Sequence, residues 1–100
     1  MRNVARQALA DDAKAAATDL VPAMRGFVSR LVPEVQELIR RAPLGDPPAK
    51  VAQVGVDEAW RRLHTAPGFG PDAACRHARK VALSVLSLCD HFESLTEGDS

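Results

Sequence analysis

Apolar residues recur at helical spacing in three segments of the chain, and no segment shows the sustained alternation of a β-strand. The clearest pattern predicts a helix over 72–96. Its apolar positions follow at intervals of four and three residues: Ala74, Ala78, Val81, Val85, Leu88, Phe92 and Leu95. Such a stripe is typical of a helix that buries one face against its neighbours.

The middle segment predicts a helix over 47–65, with Asp46 as its N-cap and Pro47 in its first position. Its apolar stripe consists mostly of small residues: Ala49, Ala52, Val56, Ala59, Leu63 and Ala66. Small side chains allow a neighbouring helix to approach closely, and Gly55 has the same effect. Two acid–base pairs, Asp57–Arg61 and Glu58–Arg62, stand four residues apart in the favourable order.

The first long segment predicts a helix over 19–41, and its pattern slips at Pro33. The stripe comprises Leu20, Met24, Phe27, Leu31, Val35 and Leu38. A proline inside a helix removes a backbone hydrogen bond. Because Val32 is a poor N-cap for a new helix, we expect one continuous helix with a kink. Residues 4–9 form either a short helix or a loose arm.

The links between these segments, 42–47 and 66–71, are short and rich in proline and glycine. Short links make consecutive helices antiparallel neighbours. The sequence therefore predicts one all-α domain over residues 1–100, an antiparallel three-helix bundle with a long kinked first helix. A short fourth helix or an arm occupies 1–17, and 97–100 form a frayed tail.

Charge and composition narrow the range of partners. Thirteen basic and thirteen acidic residues cancel, so no overall field attracts nucleic acid or an anionic membrane. The basic residues Arg76, Arg79 and Lys80 line one side of the last helix, where we expect a solvated face rather than a DNA-reading one. No apolar stretch suits a signal peptide or a membrane span, which predicts a cytoplasmic protein.

The two cysteines, Cys75 and Cys89, lie on the same predicted helix and flank its apolar stripe. Fourteen positions at the helical rise separate them by about 21 Å, far beyond the reach of a disulfide. We therefore expect two free and largely buried thiols.

The consecutive residues Cys89-Asp90-His91 have the side chains of a metal or nucleophile site, but helical geometry argues against one. Consecutive helical residues point about 100° apart, so these three side chains cannot converge on one atom. Neither HExxH nor ExxH occurs, and we expect no metal and no cofactor. The residues assign no catalytic group.

One polar cluster is a candidate ligand site. If the middle and last helices pack antiparallel, Glu58, Arg62, Asp90 and His91 could meet between them, where helical bundles commonly hold ligands. The alternative is that Glu58 and Arg62 pair on a solvated face.

Three stretches carry a family resemblance. They are Met24-Arg-Gly-Phe27 with Leu31-Val-Pro-Glu-Val35, Gly55-Val-Asp-Glu-Ala59 with Arg61-Arg-Leu63, and Ala78-Arg-Lys-Val-Ala82 with Leu88-Cys-Asp-His-Phe-Glu-Ser-Leu95. Together they resemble an uncharacterised actinobacterial family of small natural product biosynthesis proteins. Relatives often have His at Phe27 and Tyr at Phe92, so a polar site shared by the family would be altered here. The resemblance implies a role near secondary metabolism and supplies no substrate.

Two functions follow as hypotheses. The first is a small accessory or binding protein that acts through a helix interface, as a homodimer or with another protein. The second is a small enzyme or ligand-binding bundle with its pocket between the middle and last helices, which takes a small molecule.

The charge order of the last helix generates a prediction of dimerisation. Its first half is basic and its second half acidic, opposite to the preference of the helix dipole: Arg76, Arg79 and Lys80 precede Asp90, Glu93 and Glu97. Two copies in antiparallel register would pair these halves, although other helices of the same chain could also supply the compensation. Sedimentation at micromolar concentration should show a dimer. A single species near the 10.7 kDa monomer mass would exclude one.

Overall fold

The computed structural model describes residues 1–10, 19–70 and 72–98, which form four helices. Helix α1 spans Arg2–Leu9, α2 spans Val21–Arg41, α3 spans Pro47–His64 and α4 spans Ala73–Gly98. The prediction of an all-helical chain is confirmed for these residues. Residues 11–17 of the predicted arm, residue 71 and residues 99–100 of the predicted tail lie outside the described part, whereas 97 and 98 belong to α4. No described helix is long and apolar enough to cross a bilayer.

Helix α4 contacts each of the other three helices, and α2 also packs against α3. Arg62 of α3 contacts Ser84 of α4, and Gly55 of α3 contacts His91. Earlier residues of α3 therefore contact later residues of α4, so these two helices are antiparallel. This arrangement is compatible with the predicted bundle and its short N-terminal helix.

The core lies between the four helices and is built mainly from aliphatic side chains of modest size. Its most completely enclosed members are Met24, Val28, Val35, Val56, Val81, Val85 and Leu88. The apolar stripe predicted for the last helix is buried from Ala78 to Leu88. The prediction is wrong for the first residue of that stripe. Ala73 is buried in place of Ala74, which is exposed. Ala66, predicted at the end of the middle stripe, lies exposed in the link after α3.

Helix α2 continues without interruption through Pro33, as predicted. The proline itself is exposed, while Val32 and Val35 on either side of it are buried. The apolar face on both sides of Pro33 thus packs into one core. This packing offsets the lost backbone bond and keeps the helix in one piece.

Helix α3 begins where the sequence predicts, at Pro47. The Asp46 carboxylate accepts a hydrogen bond from the Ala49 backbone N–H at 3.1 Å, which satisfies one of the unpaired donors of the first turn. Gly45 precedes this cap with a φ of 81°, a conformation that glycine adopts without the steric cost of a side chain.

Gly55 marks a close approach of α3 to α4. A Cβ atom at this position would lie 2.7 Å from Nε2 of His91 and 2.8 Å from its Cδ2. The imidazole ring therefore occupies the space that any larger residue at position 55 would need. The small-residue face predicted for α3 is confirmed by the burial of Ala49, Ala52 and Ala59.

Helix α1 is fixed to α4 by apolar and ionic contacts. Ala5 and Ala8 are buried in the common core. Arg2 donates to the Asp90 carboxylate at 3.0 Å and also pairs with Glu93. The acidic half of α4 thus receives a cation from the same chain, which is the internal alternative to compensation by a second copy.

The contact between Gly55 and His91 can be tested with a double-mutant cycle. Replacement of a helical glycine by alanine normally stabilises a helix by about 0.5–1 kcal/mol. We expect Gly55→Ala to give this gain only in a His91→Ala background, because in the natural chain the new methyl group displaces the imidazole. Urea unfolding measures the difference.

Gly26 is the matched control, since it lies in α2 and a Cβ added there meets nothing within 4 Å. Gly26→Ala should stabilise both backgrounds equally. An equal gain from Gly55→Ala in both backgrounds would contradict the close contact.

The ion pairs of Arg2 predict a pH-dependent stability. The hydrogen bond from Arg2 holds the pKa of Glu93 below its ordinary value of 4.5, so the pairing stabilises the fold above about pH 4.5 and is lost as the pH falls through the lowered pKa. Arg2→Gln should therefore reduce the free energy of unfolding at pH 7 more than at pH 3. The exposed Arg6 of the same helix provides the control, Arg6→Gln. A deficit of equal size at both pH values would argue against this ionic contact.

Candidate functional site: a basic cleft between α3 and α4

Arg62 makes three polar contacts, and two of them connect α3 to α4. Its guanidinium donates to Ser84 Oγ at 3.1 Å, to the Lys80 carbonyl at 3.2 Å, and to the Glu58 carboxylate one turn earlier on α3. Ser84 is only 4% exposed, so Arg62 supplies a partner to a hydroxyl that water barely reaches. These contacts fix the orientation of the guanidinium.

An open cleft lies beside this contact, where the end of α3, the following link and the start of α4 meet. Its volume is about 480 Å³. The charged and titratable residues that line it are Glu58, Arg61, Arg62, Arg76, His77 and Lys80, and the remainder are Thr65, Ala66, Pro67, Gly68 and Ala73. We call this surface the basic cleft.

The basic cleft concentrates positive charge in a chain whose formal net charge is zero. Four permanently cationic side chains against one carboxylate leave a formal excess of three positive charges. The cleft also includes Ala73, the first residue of α4, and the N-terminal end of a helix carries a partial positive charge. A cleft lined by one sign of charge attracts ligands of the opposite sign.

His77 is the titratable imidazole of the basic cleft. Burial lowers its pKa, and the nearby charges of Arg25 on α2 and Lys80 on α4 lower it further. The ring is therefore neutral at pH 7, and it becomes an additional cation only when the pH falls or when an anion offsets these neighbours.

The structure brings together two of the four residues predicted for the ligand site. Glu58 and Arg62 pair and line the basic cleft. Asp90 instead contacts Arg2 of α1, and His91 packs on Gly55. Neither Asp90 nor His91 lines the basic cleft.

The cysteines are unpaired, as predicted, but both are half-buried rather than largely buried. Burial raises the pKa of the Cys89 thiol, against the opposing effect of the nearby Arg2. A protonated thiol is a poor nucleophile and a poor metal ligand. Within the described ranges, no three His, Cys, Asp or Glu side chains come together as a metal site requires.

A second groove runs between α2 and α3 and is largely apolar. Val32, Pro33, Val56, Trp60 and Leu63 are among its lining residues. Trp60 is 55% exposed, and its ring lies 4.2 Å from that of His64 between centroids. His64 thus has an aromatic partner on its own helix.

Sequence reasoning identifies the Glu58–Arg62 pair and misses the other charged residues of the basic cleft. The helical pattern indicates a solvated face for Arg76 and Lys80, and His77 is not among the predicted site residues. The available signal is the basic cluster at the start of the last helix, which an antiparallel helix hairpin brings beside the end of the middle helix. That end carries the basic residues Arg61, Arg62 and His64.

The comparisons with known proteins identify a family but no activity. No curated protein and no solved structure matches the chain significantly. The profile of one family matches residues 1–97. The chain therefore belongs to DUF6415, a family of unknown function.

Proposed function

We propose that this protein is a helical bundle that binds a small molecule in the basic cleft between α3 and α4. The observation that carries the proposal is a cleft of ligand-binding size, about 480 Å³, whose charged side chains converge from two helices. Pockets for small ligands usually span about 300–1,000 Å³ and hold a few convergent polar groups. The hypothesis of a ligand site between the middle and last helices is thereby favoured over the interface hypothesis.

The contacts of Arg62 support binding more than catalysis. Its guanidinium is held by Glu58, Ser84 and the Lys80 carbonyl, so a ligand meets a donor that is already oriented, which lowers the entropy lost on binding. A site for nucleophilic catalysis would need a nucleophile beside a base. The described lining of the basic cleft holds no serine or cysteine, and its Thr65 hydroxyl donates to the Arg61 carbonyl at 2.6 Å rather than to His77.

A second candidate is an accessory role through a helix interface, as a homodimer or with another protein. The supporting observation is a set of large apolar side chains on the helix surfaces, namely Val51, Val54, Trp60 and Leu83. Apolar surface of this kind occurs where proteins meet. A connection to natural product biosynthesis in actinobacteria belongs to this second proposal and rests on the sequence resemblance alone.

The ligand-binding proposal can be tested by closing the basic cleft without disturbing the bundle. Gly68 lines the cleft, its φ is not positive, and a Cβ added there meets nothing within 4 Å. Gly68→Phe should therefore fold normally and obstruct the cleft. Gly26→Phe is the matched control, because Gly26 has equal room on α2 and lies outside the cleft.

The measurement is a set of ¹⁵N–¹H spectra of the full chain titrated with a panel of anionic, neutral and cationic small molecules. We expect at least one class to shift amides of residues 61–68 and 73–80 saturably. Gly68→Phe should weaken this binding by about tenfold or more, a loss of about 1.4 kcal/mol, and Gly26→Phe should not change it. The absence of any saturable shift, or equal binding by Gly68→Phe, would overturn the proposal.

A further inference from the structure

We propose that the basic cleft recognises the phosphate group of a phosphorylated small molecule, an inference that rests on the function proposed above. The charge of the cleft, its hydrogen-bond donors and its shape each favour this class of ligand.

The charge of the cleft suits a dianion better than a monoanion. Glu58 already pairs with Arg62, which leaves Arg61, Arg76 and Lys80 as cations that surround the open volume. All three are exposed cations that line one cleft, so their like charges repel one another. A carboxylate brings one negative charge, whereas a phosphate monoester brings nearly two at pH 7.

The donors also match the geometry of phosphate. Arginine presents a planar fork of N–H groups that binds phosphate oxygens two at a time, and lysine adds a compact charge. The arginines that line the cleft come from both α3 and α4, so two helices can each supply donors to the oxygens of one phosphate. The partial positive charge at the start of α4 adds to this field.

The surroundings favour a small phosphorylated molecule over a nucleic acid. The basic residues of α4 lie in its first half, and the helix carries the acidic residues Asp90 and Glu93 further along. A nucleic-acid surface needs a basic stripe that follows several phosphates. The cleft instead offers one concave volume bounded by Gly68 and Pro67 of the link.

His77 should couple the binding of an anion in the basic cleft to its own protonation. The charges that act on it are those of Arg25 from α2 and Lys80 from α4, and the other charged residues of the same cleft are Arg76 from α4 and Arg61, Arg62 and Glu58 from α3. A bound dianion offsets the cations that disfavour the imidazolium, so it should raise the pKa of His77. Binding should therefore strengthen as the pH falls through that pKa.

The test uses inorganic phosphate as the probe, with sulfate and acetate as comparison ions at constant ionic strength, read by ¹⁵N–¹H spectra of the full chain. We expect phosphate and sulfate to shift the cleft amides saturably, and acetate to bind at least about fivefold more weakly. Arg76→Ala and Lys80→Ala should each weaken phosphate binding by about fivefold or more. Lys80→Arg should preserve phosphate binding. Arg30→Ala is the control, because Arg30 lies on the exposed surface of α2.

Other results of this experiment distinguish a failure of the phosphate inference from a failure of the ligand-binding proposal. If acetate binds as well as phosphate, or only neutral molecules bind and Gly68→Phe blocks them, the phosphate inference is wrong while the binding function stands. If no probe or panel compound shifts the cleft amides, both proposals fail. Duplex DNA at the same phosphate concentration should not shift these amides more than free phosphate does, and stronger binding by DNA would also overturn the inference.

The proton linkage has its own readout. Sulfate keeps its charge across the neutral range, so any pH dependence of its binding arises from the protein. We expect the pKa of His77, followed by its ring proton shifts, to rise when sulfate is added, and His77→Gln to remove the pH dependence of sulfate binding. A His77 pKa unchanged by saturating sulfate would show that the anion does not reach this side of the cleft.

Discussion

The close approach of α3 to α4 is the contact on which the rest of this molecule depends. It requires Gly55, because the His91 ring fills the space of a side chain there, and it requires the row of alanines that α3 buries. It also aligns Arg62 with Ser84 and with the Lys80 carbonyl. One helix–helix contact therefore closes the core on one side and forms both walls of the basic cleft.

Much of the fold could be predicted because local signals agree with the global packing. Asp46 and Pro47 mark the start of α3, and the spacing from Ala78 to Leu88 marks the buried face of α4. The error at Ala74 lies at a helix end, where the first turn rotates to bury Ala73 instead. The spacing of apolar residues predicts which face of the helix is buried. Which residue is buried at the end of the helix depends on the conformation of the neighbouring link.

The candidate site was less predictable, for a physical reason. The Glu58–Arg62 pair lies within one helix, so its spacing reveals it. The partner of Asp90 is Arg2, separated from it by 88 positions, and no helical spacing encodes such a contact. The gathering of Arg61, Arg76 and Lys80 likewise depends on how the link between α3 and α4 folds back. Charges close in space but distant in sequence appear only once the helices are packed.

The ion pairs of Arg2 also bear on the order of events in folding. The contact from Arg2 to Glu93 spans 91 positions, nearly the length of the chain, and closing so long a loop is entropically costly before other contacts shorten it. During synthesis from the N-terminus, α1 has no partner on α4 until α4 has been made. The contacts of α1 with α4 can therefore form only after α2 and α3 have been made, although α1 also contacts α2. Helix α1 thus completes its native contacts only with α4, the helix furthest from it along the described residues.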